Sequence, residues 1–419
     1  MTEVEKCDVV IIGAGPSGVV AASILVQKGW NVIVVEKETF PRFSIGESLL
    51  PYCMSFLEEA DMLDTFVEHA DELGFQFKNG AAFYRNGEHS SFDFNKKFSE
   101  GHGTTYQVKR ALFDKLLSDR AQEIGADIRF GQEVKDISFT EEYATLELIK
   151  NEQKSAIQAT FVLDASGFAR VLPKLLSLEL PSTLSNRKAL FCHIQDGITD
   201  KNYDRNKILI TVHPDNNDIW FWLIPFSDGT CSFGVVGDVD YFNANSHLSG
   251  ENLLDVFISQ EPYLAKLLKN HKKTTKVNAL QGYSSDVTSL YGDKFALLGN
   301  AGEFLDPIFS SGVTIAMKSA SLAANTLDRQ LQGKSVCWQA DFSEPLKCGI
   351  EVFKHFVMSW YDTHLQNVIF FQEDDNDVKN MICSILAGYA WDETNPYVAK
   401  TERRLAALVD ICNDENKDE

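Results

Sequence analysis

The sequence predicts an α/β fold with an α+β insert, and three observations predict it. A Val- and Ile-rich run, Cys7–Ile12, is broken by glycines, followed by an apolar helix and then by a second short apolar run, Asn31–Val35. That strand, turn, helix, strand order is the start of a parallel, Rossmann-like dinucleotide domain. Between Ala189 and Val236 the texture changes to strand-length segments separated by turns, which reads as an antiparallel β domain. From Trp338 onward the apolar residues Ile350, Phe353, Phe356, Val357 and Trp360 recur at helical spacing, so C-terminal helices are expected. The dinucleotide domain is expected to be discontinuous, at 1–75, 104–188 and 276–335. A β-sheet substrate domain is placed at 76–103 and 189–275, and a helical region at 336–419.

The elements follow in order. After Cys7–Ile12 and its glycine turn, Val19–Lys28 is the first helix. Ala81–Arg85 and Ser91–Phe94 alternate as short antiparallel strands do. Lys109–Ile124 is helical, with Leu112, Phe113, Leu116, Leu117 and Ala121 on one face. Strands return at Ala126–Phe130, Tyr143–Ile149 and Thr160–Leu163, and the substrate sheet is expected from Ala189–His193, Ile208–His213, Ile219–Ile224 and Cys231–Val236. Phe295–Leu298 is a further strand, Val313–Leu331 a helix, and Asn413–Glu419 a charged tail. The chain carries no internal repeat.

Composition narrows the function classes. At 419 residues, 44% hydrophobic and 24% charged, the chain is an ordinary globular one. No run approaches the roughly eighteen apolar residues of a membrane span, and the first residues lack the basic and apolar regions of an export signal. The expected location is therefore the cytoplasm. Lys and Arg total 39 against 60 Asp and Glu, a net charge of −21, which disfavours nucleic acid and anionic lipid as partners. The eight cysteines form no C-x-x-C pair and the histidines do not cluster, so no metal site is expected.

The chemistry starts at Gly13-x-Gly15-x-x-Gly18, which includes Pro16 and Ser17. Missing side chains there let the backbone approach a pyrophosphate at a helix N-terminus. Glu36, ending the second strand eighteen residues beyond Gly18, is placed to accept the hydroxyls of an adenosine ribose. Trp220 and Trp222 alternate along a strand, so both rings face one side of their sheet.

Four further segments identify which dinucleotide is meant. Phe40–Pro51, Tyr106–Arg110, Asp164–Gly167 and Gly299–Val313 together resemble the FAD-dependent aromatic monooxygenase superfamily. Within it the likeness is to the flavin-dependent halogenases, and more to those acting on phenols or pyrroles than to the tryptophan-specific ones. The strings Gly46-Glu47-Ser48-Leu49-Leu50-Pro51 and Trp220-Phe221-Trp222-Leu223-Ile224-Pro225 carry that likeness, and Ile382–Gly388 is similar to the family's tail.

The resemblance implies FAD as cofactor, held by Gly13, Gly15 and Gly18 at the pyrophosphate, Glu36 at the ribose, and Arg42, Ser48 and Arg110 along the phosphates and ribitol. Pro16, Ser17, Lys37, Gln107, Val134, Ala165, Gly299, Pro307 and Val313 complete the implied cofactor set. Asn300 stands where the family has Asp; its amide oxygen still accepts a hydrogen bond but brings no charge. The amides of Ser311 and Gly312 are implied to hold a halide, or else the flavin's pyrimidine edge. Lys78 is implied to receive hypohalous acid, either donating a hydrogen bond to its oxygen or forming a haloamine. Trp220, Trp222 and Phe309 are assigned to the substrate pocket. Phe309 replaces a Glu of the tryptophan-specific branch, which favours an electron-rich phenol, resorcinol or pyrrole.

The activity so implied is a two-component halogenation: a separate flavin reductase supplies reduced FAD, dioxygen gives a C4a-hydroperoxide, and halide attacks it to form HOX. The small aromatic substrate arrives free or tethered to a carrier protein. An aromatic hydroxylase using NAD(P)H, a flavin dehydrogenase or reductase of the prenyl-reductase type, and a simple electron carrier are the competing readings.

Overall fold

The computed structural model describes residues 4–245, 247–371 and 377–415. The first sheet is built around β1 (Glu5–Ile12), which ends fully buried. α1 (Pro16–Gln27) places Pro16 in its first turn, where a missing N–H costs nothing. β2 (Val32–Glu36) returns parallel to β1, with Val9 opposite Val32 and Ile12 opposite Val35. The chain then leaves this sheet for β3 (Gln76–Lys78), β4 (Gly80–Arg85), β5 (Glu88–Asp93) and β6 (Thr105–Gln107); β6 pairs antiparallel with β3, setting Thr105 opposite Lys78.

α2 (Arg110–Ile124) leads back to β7 (Asp127–Phe130), β8 (Glu133–Phe139), β9 (Ala144–Lys150) and β10 (Gln153–Asp164). β10 is longer than the expected Thr160–Leu163. Its polar first half pairs with β9 at an exposed edge and carries no apolar signal, while its buried second half runs parallel to β1.

The second sheet adds β11 (Arg187–Gln195), β12 (Lys207–His213), β13 (Asn216–Pro225) and β14 (Thr230–Asp238) to β4 and β5, in the order β11–β14–β13–β12–β4–β5, with the short strands Lys272–Lys273 and Asn278–Gln281 pairing at the β11 edge. The expectation of an antiparallel sheet holds for every pair on that path except β12 with β4, which is parallel, Lys207 opposite Gly80. β4 and β12 are joined through the strands of the first sheet, so no hairpin imposes the antiparallel sense. Alternation along these strands divides two cores. Phe191, Ile208, Trp220, Trp222 and Ile224 turn toward the first sheet, while Leu190, Leu209, Phe221 and Leu223 pack with the helices at Gly250–Gln260 and Pro262–Leu267.

β15 (Phe295–Leu297) joins the first sheet parallel to β10, and α3 (Ser311–Leu331) packs against α1. α4 (Glu344–Tyr361) buries the five residues whose spacing predicts it. The last helix, Thr401–Glu415, takes in the start of the expected tail, and 416–419 lie outside the described residues. Among the described residues no helix is long and apolar enough to cross a membrane, and no His, Cys, Asp and Glu cluster is arranged for a metal. None of the eight cysteines is in a disulfide.

Candidate active site

A cavity of about 770 Å³ runs from the turn after β1 to the aromatic face of the second sheet. Gly13, Gly15, Pro16 and Ser17 line its first end. Gly18 lies beneath them: a Cβ there would stand 1.9 Å from the Gly13 carbonyl oxygen, so the turn closes only on glycine. The unpaired amides that begin α1 make this end suited to phosphate.

Glu36 lines the cavity with both carboxylate oxygens already fixed. Oε2 accepts the Ala14 N–H at 2.9 Å and Oε1 the Glu38 N–H at 2.8 Å. Each oxygen keeps a further lone pair for a ribose hydroxyl. Beside it stands Gln132, which the sequence reading misses. Its Oε1 is buried without a hydrogen-bond partner among the described residues, and its N–H donates to the Glu36 carbonyl at 2.9 Å. Nothing in the sequence singles out a glutamine after a short strand.

Arg42 and Arg110 line the next stretch and share Asp114. Arg42 Nη1 donates to its Oδ2 at 3.0 Å, while Arg110 donates to Oδ1 at 2.7 Å and to Oδ2 at 3.0 Å. Two guanidiniums on one carboxylate leave a net positive charge at the cavity wall. Asp114 is another residue missed, although its i,i+4 spacing from Arg110 on a predicted helix is a usable signal. Lys37, Ser48, Val134, Ala165, Asn300 and Pro307 also line the cavity, whereas Gln107 and Gly299 do not. Gln107 sits one strand behind, bridged to Ser48.

At the start of α3, Ser310 takes a left-handed conformation, φ 55°. Ser310, Gly312 and Val313 line the cavity, and Ser311 is buried next to them without lining it. The first amides of this 21-residue helix have no partner within the helix, which favours an anion or a carbonyl oxygen at this point.

Lys78 is fully buried, with 0% of its surface exposed. Its Nζ donates to Ser48 Oγ at 2.8 Å and to the Leu49 carbonyl at 2.7 Å, and lies 5.5 Å from the Phe94 ring. Burial pushes the ammonium down to about 7. Lys78 does not itself line the cavity, but Ser48 does, so a single hydroxyl separates the amine from it. Phe77, the neighbour of Lys78 in sequence, is exposed on the opposite face of β3, as alternation requires.

Trp220 and Trp222 wall the far end, their rings 6.0 Å apart. Trp222 packs over Gly234, where a Cβ would meet the indole at 2.3 Å. Trp220 Nε1 donates to the Tyr361 hydroxyl at 2.9 Å, which donates to Asp306 Oδ2 at 3.0 Å. Burial raises Asp306 to about 6. Phe309 does not line the cavity; it packs edge-on against Phe356 and Trp360 at 6.2 and 6.0 Å.

Residues 6–336 match the FAD binding domain family. The chain is 28% identical over 435 residues to the 1H-pyrrole-2-carbonyl-[peptidyl-carrier protein] chlorinase of Pseudomonas fluorescens, over 96% of this chain and 94% of that protein. A crystal structure described as a flavoprotein/dehydrogenase from Cytophaga hutchinsonii is 41% identical, with TM-score 0.92, over 98% of this chain and 100% of that one. The flavin-dependent brominase Bmp2, 23% identical, shares the fold at TM-score 0.84 over 99% of this chain and 100% of that one.

Proposed function

The chain belongs to the FAD-binding domain family and is an FAD-dependent oxidoreductase, and on that premise we propose that it halogenates electron-rich aromatic rings of the phenol, resorcinol or pyrrole kind. The residues present fit FAD: a glycine turn no side chain enters, Glu36 and the unpartnered Gln132 oxygen at the ribose end, and two guanidiniums for the diphosphate. When bound and reduced, FAD supplies the oxygen activation that oxidises a halide.

The observation that carries the halogenase reading is a buried lysine one hydroxyl away from the cavity. As ammonium, Lys78 donates a hydrogen bond to the oxygen of HOX and so makes the halogen more electrophilic. As the neutral amine, accessible near neutral pH because burial lowers it to about 7, it takes the halogen by R–NH2 + HOX → R–NHX + H2O. The amides at Ser311 and Gly312 hold the halide or the flavin's pyrimidine edge. Trp220 and Trp222 keep water from the reacting end. An electron-rich ring needs no carboxylate to assist it, and Phe309 supplies none.

In this reading a separate reductase delivers the reduced cofactor. The substrate is free or carrier-bound; the carrier-linked pyrrole named for the Pseudomonas relative supports the second form. The likeness to a protein described as a flavoprotein/dehydrogenase favours a second reading, hydride exchange with no part for oxygen.

One incubation separates these readings: the protein with a flavin reductase, NADH, oxygen, bromide and a panel of phenols and pyrroles, read by mass spectrometry. A bromine isotope doublet on the ring is expected. A hydroxylated ring formed with NAD(P)H and no reductase, or an oxidised product formed without oxygen, overturns the proposal.

A further inference from the structure

Glu47 lines the cavity and is 2% exposed. Its Oε1 lies 2.8 Å from Nε2 of His193, and since a carboxylate only accepts, that nitrogen carries the proton. The imidazole of His193 is held in turn by the rings of Phe43 and Phe226, at 5.9 and 5.5 Å, and the His193 backbone N–H donates to Thr275 Oγ1 at 2.9 Å. The other oxygen, Oε2, is buried without a hydrogen-bond partner among the described residues. A buried carboxylate oxygen left unpaired is costly. Here it belongs to a side chain fixed by its neighbour and adjacent in the chain to Ser48, the residue that joins the cavity to Lys78.

We propose that Glu47 Oε2 is the acceptor for an N–H or O–H donor on the edge of an aromatic ring bound in this cavity, with His193 as the residue that positions it. The proposal rests on the flavoenzyme reading above. Two rings carry such a donor: a phenolic or pyrrolic substrate and the imide edge of the flavin. A carboxylate in this place repels anionic rings such as benzoates and gives nothing to ethers, so the ligand class is a neutral ring with an acidic hydrogen.

The test uses the FAD-loaded protein, titrated with phenol and with anisole and followed by the flavin visible spectrum, alongside FAD affinity from fluorescence. A charge-assisted hydrogen bond corresponds to a change of about 10- to 150-fold. If the donor is on the substrate, the parent prefers phenol by that factor, Glu47→Leu abolishes the preference, and FAD affinity is unchanged. If it is on the flavin, Glu47→Leu weakens FAD by that factor and leaves the phenol-to-anisole ratio as in the parent. Glu47→Gln, which keeps a neutral acceptor, is expected to give an intermediate loss and carries the comparison if the leucine variant fails to fold. Folded variants that alter neither quantity overturn the proposal. A parent protein that binds no FAD overturns the flavoenzyme reading itself, before any variant is compared.

Discussion

Replacing Lys78 with methionine removes a charge that the fold holds against the preference of its surroundings. Burial moves the ammonium from 10.5 to about 7, and at 1.36 kcal/mol per unit that displacement corresponds to about 5 kcal/mol. Against this, methionine leaves Ser48 Oγ and the Leu49 carbonyl without the donor they now have, at about 1–3 kcal/mol each. The two effects nearly offset, so at pH 6.5 the variant should unfold within about 2 kcal/mol of the parent. The sign with pH is definite. Above pH 7 the folded lysine is neutral while the unfolded one stays protonated up to about 10.5, so the parent gains stability as pH rises through that window and the methionine variant does not. Urea unfolding at pH 6.5 and 8.5 reads this: the parent should gain about 2 kcal/mol on the variant between those two values. Bromination of a phenol should fall at least about a hundredfold, with reoxidation of reduced flavin unchanged. A variant that still brominates refutes the relay role, and a stability difference that does not change with pH refutes the buried-charge argument.

Gly18→Ala pushes a Cβ to 1.9 Å from the Gly13 carbonyl oxygen; the turn must move, and FAD affinity, read by fluorescence titration, should drop more than about tenfold. Glu36→Gln turns one of two accepting oxygens into an N–H₂ donor facing the Ala14 or Glu38 amide, so FAD binding should weaken by about tenfold in the same assay. Asp306, raised from 3.8 to about 6 by burial, keeps its proton in the folded state longer than in the unfolded one. Its contribution is therefore full below pH 4 and is lost as pH rises to 6, by about 3 kcal/mol; Asp306→Asn should flatten that part of a pH series of unfolding curves.

The legible parts of the fold were those written in local pattern. β1, α1 and β2 follow from a run of Val and Ile, three glycines and a terminal Glu, and α4 from five apolar residues at helical spacing. The parallel pairing of β4 with β12 has no local signal, because it depends on where a distant segment returns. The site divides the same way. Gly13, Glu36, Arg42 and Trp222 stand in motifs and line the cavity, whereas Gln132 and Asp114 act through what the fold brings beside them. Lys78 shows the limit from the other side: alternation on a strand of three residues cannot tell a solvated lysine from one with no exposed surface. Phe309 shows it again, since a place in the Gly299–Val313 string says nothing of the neighbouring helix that turns its ring to Phe356 and Trp360.

A chain with a net charge of −21 is an unpromising host for a diphosphate and a halide, and the arrangement of buried charge resolves this. Surface charges are screened over about 8–10 Å at ordinary ionic strength, so the acidic exterior contributes little inside the cavity, where nearby groups dominate. At the dinucleotide end two guanidiniums meet one carboxylate, Asp114, and the amides that begin α1 add partial positive charge. At the other end Ser310, Gly312 and Val313 at the start of α3 line the cavity, while Lys78 stands behind Ser48 with no carboxylate paired to it among the described residues. An amine so placed, lowered by burial to about 7, stands between ammonium and free base, and in the halogenase reading proposed above both forms serve transfer of a halogen. Pairing Lys78 with a carboxylate would raise it back toward 10.5, fix it as ammonium and, in that reading, remove the free-base form proposed to take halogen from HOX. In that reading the lack of a partner acid beside Lys78 among the described residues is what leaves the free base within reach near neutral pH.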